Sequence, residues 1–304
     1  MIVVVCLNPA LDVTHEVDAV AWGGVNRPRA VHARPGGKGL NVARTLHALG
    51  VDVLVTGLAG GITGAGVEAG LRELGVPATL TAVAGETRRT FTVAADRATS
   101  FHEAGPLVSA AEFAEFLAGY AKALDGAAAV VLSGSLPPGL SAGAYATLIE
   151  AAGAAGVPAV LDTHGEALRQ GTAAGPAIVK PNLAELEALA GRRLEPAEVA
   201  GAAGRLREAG AQAVVVTLGA GGLLAATGDG GWRARPAAVA GNPTGAGDAV
   251  AAALAHGLVL GRPWDERLRH AAALGAATAA APVAGEFRPR DYHGALDAVT
   301  VEAL

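Results

Sequence analysis

The sequence has almost no cysteine, few aromatic residues and no excess of basic residues. Cys6 is the only cysteine among 304 residues, which excludes a disulfide framework and favours a reducing compartment, the cytoplasm. Lysine and arginine number 23 against 28 acidic residues, so we expect no nucleic-acid partner. The first apolar run, 2–7, is too short to span a membrane and lacks the basic region of a signal peptide, so we expect no membrane partner.

Small and apolar residues are abundant instead. Hydrophobic residues make up 51% of the chain, and there are 43 glycines, a composition that supports a large core and argues against disorder. Only three of the 23 cationic residues are lysine. Two of these, Lys38 and Lys180, lie in motif-like stretches, which indicates that a compact point charge is favoured there.

Strand and helix patterns alternate through most of the chain. Continuous apolar runs predict buried strands at 2–7, 53–58, 128–132, 158–162, 177–180 and 213–218. This alternation predicts an α/β fold whose mainly parallel central sheet is covered by helices on both faces. Ligands in such folds bind beyond the carboxyl ends of the strands. Polar clusters lie at those ends, at 133–135, Asp162, 180–182 and 217–219.

Several other segments are partly polar and predict strands with one wet face. They are 11–17, 31–34, 87–95 and 99–103, the last two forming a hairpin around Asp96 and Arg97. Their polarity differs from that of the buried strands. We therefore expect them to form a small sheet that stands off the main body.

The stretch 242–248, Asn-Pro-Thr-Gly-Ala-Gly-Asp, precedes an alanine-rich run that predicts a helix. Gly245 and Gly247 let the backbone turn sharply and approach a ligand, and the free N–H groups of a helix N-terminus attract an anion. Asp248 lies in the first turn, where it can take a proton from a hydroxyl while the amides hold the developing charge. A glycine turn with Asp248 as a helix-stabilising residue explains the pattern about as well.

A second glycine turn, 35–39, also precedes a predicted helix. The turn carries Lys38 but lacks the Gly-x-x-x-x-Gly-Lys-Ser/Thr spacing of a P-loop. We interpret it as a cradle for a sugar or a sugar phosphate, in which Asn41 donates to and accepts from hydroxyl groups. A plain tight turn is the alternative.

Four further features each have two open interpretations. Asp12 can hydrogen-bond a polyol or shape a turn, and Arg88 can bind an anion or be a solvated charge on an edge strand. Lys180 can meet nucleotide phosphates and Glu185 can hold a metal-bound water, although Glu185 also completes a capping box that starts at position 182. The glycine-rich stretch 217–222 can border a nucleotide or form a hairpin turn.

Together these motifs resemble the PfkB family of ribokinase-type carbohydrate kinases. The two family signatures are similar to 36–43 and 242–248, and the similarity extends through 7–12, 132–139, 180–185 and 217–219. It covers almost the whole chain. Within the family, the sequence resembles the branch that acts on phosphorylated ketohexoses, 1-phosphofructokinase and tagatose-6-phosphate kinase.

The resemblance implies a Rossmann-like ribokinase fold, with one domain over 1–304 and a discontinuous β-lid from about 11–35 and 87–104. It implies ATP and Mg²⁺ as cofactors and a homodimer formed through the lid. The implied reaction converts fructose 1-phosphate to fructose 1,6-bisphosphate. Tagatose 6-phosphate, fructose 6-phosphate or an unphosphorylated sugar remain alternative substrates, and a non-catalytic sugar or nucleotide sensor is an alternative of another class.

The resemblance also implies a role for individual residues. Asp248 is the implied general base, and Gly245, Ala246 and Gly247 complete the anion hole. The implied substrate-binding residues are Asp12, Arg27, Gly36, Gly37, Lys38, Asn41, Arg88 and Ser135, of which Lys38, Arg88 and Arg27 hold the phosphate already on the sugar. The implied ATP-binding residues are Lys180, Asn182, Glu185, Thr217, Gly219, Gly222 and Asn242, with Glu185 organising Mg²⁺ through water.

Two positions in the lid depart from that branch. It usually has asparagine two residues after the arginine that matches Arg88, where this chain has Thr90. Asparagine is also frequent where this chain has His102. Both departures bear on which sugar is bound rather than on phosphoryl transfer.

Overall fold

Strands and helices alternate over the residues that the structure describes, which are 1–95, 98–281, 283 and 285–304. The computed structural model contains β1 (Ile2–Cys6), β2 (Ala10–Glu16), β3 (Ala30–Gly36), α1 (Lys38–Ala48), β4 (Val53–Ala59), α2 (Gly61–Glu73), β5 (Ala78–Ala82), β6 (Arg88–Ala94), β7 (Ala98–His102), α3 (Ala110–Ala123), β8 (Ala129–Ser133), α4 (Ala144–Ala154), β9 (Ala159–Asp162) and α5 (Gly165–Ala173). It continues with β10 (Ile178–Val179), α6 (Leu183–Ala190), α7 (Val199–Glu208), β11 (Val214–Thr217), β12 (Leu223–Thr227), β13 (Gly230–Arg235), α8 (Ala246–Val259), α9 (Trp264–Ala280), α10 (Pro289–Ala298) and β14 (Thr300–Ala303).

Ten of these strands form the central sheet, in the order β14-β13-β12-β11-β10-β9-β8-β1-β4-β5. Neighbours from β5 to β11 are parallel, and β12, β13 and β14 extend one edge in antiparallel fashion. Strands β1, β8 and β9 are buried along their whole length, as expected for strands that helices cover on both faces. The predicted α/β fold with a mainly parallel sheet is confirmed.

Three strands at or next to an edge of the sheet were missed by the sequence patterns. They are β5 and β14 at the two ends of the sheet and β13 beside β14. Most residues of β5 and β14 are exposed or half-buried, and β13 begins with two glycines. An edge strand with so few buried residues lacks the continuous apolar run by which a central strand is identified.

Helix α8 is the element that brings the second glycine turn to the sheet. Nine of its 14 residues are buried, most of them alanines, so the helix packs closely between neighbours rather than presenting one face to water. A Cβ built on Gly275 of α9 would lie 3.0 Å from the Val250 side chain, which shows how closely the two helices approach. The N-terminus of α8 is therefore held rigidly. No described helix has the length and apolar character needed to cross a membrane.

The small separate sheet is also present, with strand order β3-β2-β6-β7. β2 and β6 run parallel, while the two outer pairs are antiparallel. Arg34, Asp12, Thr90 and His102 are successive neighbours across the four strands, so the two lid departures face each other in one row. The expected turn residues Asp96 and Arg97 lie outside the described residues.

Candidate active site

The turn before α8 has a geometry that only glycine accommodates. Gly245 has a φ of 84°, and a Cβ built on it would lie 2.4 Å from the Cα of Gly285. The N–H of Gly285 donates to the Thr244 carbonyl at 3.0 Å. The N–H of Thr244 donates in turn to Asn242 Oδ1 at 3.0 Å. Asn242, which the resemblance placed at the nucleotide, therefore also shapes this turn.

Three amides at the start of α8 are available for an anion. The N–H of Ala246 donates to the Pro243 carbonyl at 3.1 Å. The N–H groups of Gly245, Gly247 and Asp248 donate to no other residue in the described part of the chain. The expected anion hole over 245–248 is thus reduced by one donor, because the tight turn itself uses the amide of Ala246. The remaining amides lie at the positive end of the helix dipole.

Asp248 is nearly inaccessible to solvent, with 6% of its surface exposed. Asn41 Nδ2 donates to its Oδ2 at 2.8 Å. Burial raises the pKa of Asp248 to about 6, and the negative charge of Asp162 adds to the shift, while the Asn41 hydrogen bond limits it. At neutral pH this carboxylate is ionised, yet it is basic enough to accept a hydroxyl proton.

Two lysines share the fully buried carboxylate of Asp162 at the end of β9. Lys38 Nζ lies 3.3 Å and Lys180 Nζ 3.2 Å from Asp162 Oδ1. Burial acts to raise the pKa of Asp162, but the two ammonium groups outweigh it and hold that pKa below its usual value. Asp162 was noted only as a polar residue at a strand end. The signal that could have singled it out is its position there, facing the strand that leads into Lys180.

Lys38 lies between the two groups of predicted ligands. The resemblance placed it at the sugar phosphate, whereas its ammonium contacts Asp162 and lies 3.6 Å from Glu185 Oε1, on the expected nucleotide side. The charge of Asp162 raises the pKa of Lys38 above its usual value, with Glu185 and Asp248 adding to the shift. The first residue of α1 reaches this position because its long side chain extends beyond the carboxyl end of β9.

The start of α6 has the capping box expected from its sequence. Asn182 Oδ1 accepts from the N–H of Glu185 at 2.8 Å, and Glu185 Oε2 accepts from the N–H of Asn182 at 2.8 Å. Thr217 forms an isolated parallel bridge with Asn182, and its N–H donates to the Pro181 carbonyl at 3.0 Å. The structure thus brings Asn182, Glu185 and Thr217 together near Lys180.

The glycine-rich segment after β11 is the predicted hairpin turn. It leads from β11 into the antiparallel strand β12. Gly219 and Gly222 have φ values of 58° and 84°. A Cβ on Gly222 would lie 2.1 Å from the Ala234 carbonyl oxygen, so a side chain is excluded there.

The side chain of Asp12 lies against the first glycine turn, where a side chain on Gly36 would otherwise be. A Cβ on Gly36 would lie 2.0 Å from Asp12 Cγ, so the carboxylate fits only because position 36 is glycine. Burial raises the pKa of Asp12, while the Thr90 hydroxyl and the charges of Arg34 and Arg88 limit the shift. Gly37, with a φ of 98°, is the N-cap of α1. Asp12, Gly36, Gly37 and Asn41 therefore lie around the start of α1.

Arg88 and Ser135 meet through Asn8. Arg88 Nε donates to the Asn8 carbonyl at 3.2 Å and its Nη1 to the Glu103 carbonyl at 3.3 Å, while Asn8 Nδ2 donates to Ser135 Oγ at 3.1 Å. The role of Asn8 was not foreseen, since a buried asparagine after a strand is most simply a turn residue. Arg27 is exposed in the segment between β2 and β3. Within the described residues, it makes no hydrogen bond or ion pair with the other predicted ligands.

The comparisons with known proteins cover nearly the whole chain. The model of the pfkB family of carbohydrate kinases matches residues 3–290. Phosphofructokinase-2 from Escherichia coli in complex with potassium superposes with a TM-score of 0.91 at 29% identity, over 97% of this chain and 98% of that one. The same enzyme in complex with fructose-6-phosphate superposes with a TM-score of 0.87 at 29% identity and the same coverage. A Thermotoga maritima protein described as a possible 1-phosphofructokinase superposes with a TM-score of 0.91 at 27% identity, over 100% of this chain and 99% of that one.

Proposed function

Because this chain belongs to the pfkB family of carbohydrate kinases, we propose that it phosphorylates a ketohexose monophosphate with ATP. We assign fructose 1-phosphate as the substrate and fructose 1,6-bisphosphate as the product. One observation carries the proposal: a buried carboxylate, Asp248, lies in the first turn of a helix at whose start the amides of Gly245, Gly247 and Asp248 donate to no other described residue. A proton acceptor next to an anion hole is what transfer of a phosphoryl group to a hydroxyl requires.

The reaction assigns separate tasks to Asp248 and to the turn. The terminal hydroxyl oxygen of the sugar attacks the γ-phosphorus of ATP, the bond from that phosphorus to the β–γ bridging oxygen breaks, and ADP leaves. Asp248 takes the hydroxyl proton, which its pKa of about 6 permits at neutral pH. The amides of Gly245 and Gly247 stabilise the charge on the transferred group. Positioning and electrostatics account for the protein's part of the reaction.

The nucleotide side is proposed from Lys180, Thr217 and the residues around them. Lys180 is 3% exposed, so its ammonium, held by Asp162, is a preorganised cation for phosphate oxygens. Asn182 shapes the same surface. We propose that Gly219, Gly222 and Asn242 border the nucleotide through their backbone.

Mg²⁺ is proposed to bind through water to Glu185. The described residues contain no cluster of three His, Cys, Asp or Glu side chains able to hold a metal. Glu185 Oε1 is free of the capping box and faces the site. This fits Mg²⁺, which keeps several waters and uses one or two carboxylates together with substrate phosphates. When bound, the ion neutralises charge on the phosphate oxygens of ATP.

The sugar side is proposed from the groups around the start of α1. Asp12, Asn41 and the backbone of Gly36 and Gly37 would bind hydroxyls. Arg88, with Ser135 beside it, would hold the phosphate already on the sugar. We propose that Arg27 and Lys38 also move towards this phosphate when the substrate binds.

A second candidate, fructose 6-phosphate, is favoured by one comparison. Escherichia coli phosphofructokinase-2, 29% identical to this chain, has a structure in complex with fructose-6-phosphate. The furanose form of a ketohexose carries a CH₂O group at each end, so one cradle serves either orientation. Tagatose 6-phosphate fits for the same reason. A sensor that binds without turnover is disfavoured, because it has no need of Asp248.

A homodimer formed through the lid, in the cytoplasm, is also part of the proposal. Val31 and Phe101 are 55% and 58% exposed. They lie on the same face of the small sheet as Phe91 and Val13, because neighbours across strands share a face. Such an apolar face is suited to burial against a second copy. The reducing compartment rests on the single cysteine.

The experiment that tests the function is a coupled ADP-release assay. Fructose 1-phosphate, fructose 6-phosphate, tagatose 6-phosphate and ribose are compared at equal concentrations with saturating MgATP. We expect fructose 1-phosphate to give the highest kcat/KM. A higher kcat/KM with another sugar phosphate would show that this sugar phosphate is the substrate of the same phosphoryl transfer. Tight sugar or ATP binding with no ADP release would identify a sensor.

A further inference from the structure

Arg44 connects the two glycine turns, although no sequence motif singled it out. It lies on α1 and is half-buried. Its Nη1 donates to the Pro35 carbonyl at 3.2 Å, and its Nη2 donates to the Gly285 carbonyl at 3.4 Å. Pro35 immediately precedes Gly36 of the first turn. One planar guanidinium therefore reaches backbone on both sides of the site.

Gly285 is the immediate support of Gly245. Its Cα occupies the space that a Cβ of Gly245 would need, at 2.4 Å. Gly285 is held at both ends of its own backbone, by the Thr244 carbonyl at its N–H and by Arg44 at its carbonyl. Because packed contacts transmit displacement, a shift of Gly285 would shift Gly245 and the free amides that follow it.

Arg44 hydrogen-bonds backbone carbonyls although three carboxylates lie near enough to affect its charge. Burial lowers the pKa of Arg44, and Arg34 adds to the shift, while Glu286, Asp12 and Asp248 oppose it. None of these carboxylates forms an ion pair with Arg44 within 4.0 Å in the described chain. The carbonyl oxygens of Pro35 and Gly285 are therefore its direct partners.

The neighbouring ion pair contributes less to holding this segment. Arg34 Nη1 lies 3.8 Å from Glu286 Oε1, and Glu286 is 58% exposed. Exposed pairs at such a distance stabilise little and are screened by salt. Arg44, by contrast, holds the segment through a direct hydrogen bond from a half-buried side chain to the Gly285 carbonyl.

We propose that Arg44 is a positioning residue for phosphoryl transfer, which keeps the amides of the anion hole aligned by holding Gly285 against Gly245. This inference rests on the proposed function. A displacement of about 1 Å at a reacting centre lowers rate on the order of 100-fold. Arg44→Met should therefore lower kcat by roughly 10- to 100-fold, with the KM for ATP changed by less than about twofold because Lys180 and Thr217 are untouched.

The test compares Arg44→Met and Arg44→Lys with a matched control, Arg269→Met. Arg269 Nη1 also donates to a backbone carbonyl, that of Val299, at 2.6 Å. The control therefore removes a similar bond from α9 while leaving both turns intact, so it should lower Tm and leave kcat unchanged. Arg44→Lys keeps the charge but can reach only one carbonyl at a time, so it should recover part of the kcat lost in Arg44→Met. All rates are measured well below each variant's Tm.

The outcomes separate this inference from the proposed function. If the wild-type protein releases no ADP with any sugar phosphate, the proposed function fails, and this inference fails with it. If the wild type turns over and Arg44→Met keeps its kcat, only the positioning role is overturned. A rise in the KM for the sugar phosphate with unchanged kcat would also overturn it, since Arg44 would then be a substrate ligand. An equal loss of kcat in Arg269→Met would show that the loss comes from lower stability, and it would overturn the positioning role.

Discussion

The two glycine turns use the same backbone device with opposite charges. Gly37 and Gly245 are both N-caps with positive φ, at 98° and 84°. The first turn of α8 carries Asp248, which the helix dipole favours, whereas α1 begins with Lys38, which the dipole disfavours. Asp162 supplies the missing negative charge beside α1. The α8 turn thus carries a buried carboxylate beside amides that donate to no other described residue, while the α1 turn presents a cation that is already paired.

The two turns also differ in what makes glycine necessary. At position 245 the obstacle is backbone, the Cα of Gly285, which can make room only if the chain itself shifts. At position 36 it is the side chain of Asp12, which can turn away at the expense of its own position. Substitutions should therefore affect the transfer step at one turn and sugar binding at the other. Four variants, ordered from the largest expected effect to the smallest, test this division.

Asp248→Asn should fold normally and lose turnover by on the order of 10³- to 10⁴-fold, because the amide cannot accept the hydroxyl proton. In the wild type, kcat/KM should fall as the pH drops below about 6, the pKa of Asp248. Steady-state assays of both proteins from about pH 5 to about pH 9 check both effects. Near-normal turnover in Asp248→Asn would show that Asp248 is not the general base.

The same variant should be more stable than the wild type at alkaline pH. The folded-state pKa of Asp248 is about 6, above its ordinary value of 3.8. Protonation of Asp248 therefore stabilises the folded protein fully below pH 3.8, and this stabilisation is lost as the pH rises through about 6. Asparagine avoids burying the charge, which should give on the order of 1–3 kcal/mol above that pH. Urea unfolding of both proteins on either side of the transition measures the difference, which should vanish in acid.

Gly245→Ala should lower kcat by about 100-fold, because its Cβ would displace Gly285 and misalign the amides of the anion hole. Gly261→Ala is the matched control. Gly261 also has a positive φ, 63°, but a Cβ there meets no atom within 4 Å in the described structure. The control should lose about 1–2 kcal/mol of stability from strain alone, with unchanged kcat. Equal kinetic effects in the two variants would show that strain, not the contact with Gly285, is responsible.

Asp162→Asn should release Lys38 and Lys180 from their shared partner. Leaving the buried Lys180 unpaired should cost about 3–5 kcal/mol, and kcat/KM for ATP should fall roughly 10- to 100-fold as the lysines move. Because the pKa of Asp162 is held below its usual value, its stabilisation is present above about 3.8 and is lost as the pH falls further. Thermal unfolding against pH and ATP titration measure the two effects.

An exposed ion pair between α6 and α7 provides the contrast for that variant. Glu198→Gln breaks the surface pair with Arg192 and should leave stability almost unchanged, because exposed pairs are well screened by solvent. If Asp162→Asn were no more costly than Glu198→Gln, the two lysines would not depend on Asp162 for their position.

Gly36→Ala should have the smallest effect, about a five- to tenfold rise in KM for the sugar phosphate. The added Cβ would force Asp12 away from the hydroxyls it is proposed to bind. The kcat should change less, because the α8 turn is intact. Kinetics with the sugar phosphate as the varied substrate measure the split, and a fall in kcat with unchanged KM would contradict the division between the turns.

The sequence predicted those parts of the fold and site that depend on local pattern. The central strands, the helix after each glycine turn and the capping box of Asn182 and Glu185 were all foreseen, because each leaves a periodic or short-range signal. The edge strands β5 and β14 and the neighbouring β13 were not predicted, since their pairing depends on which strands lie beside them. The bond from Asn41 to Asp248 joins residues 207 apart, which no local pattern encodes.

Sequence alone determined that two glycine turns precede two helices, that one turn carries lysine and the other aspartate, and that parallel strands alternate with helices. Only the tertiary structure decided that Lys38 pairs with Asp162 and that Arg44 reaches Gly285. The physical reason is that propensity and periodicity act over a few residues. Charge pairing and backbone contact act through space, between groups that only the packed chain brings within a few ångströms.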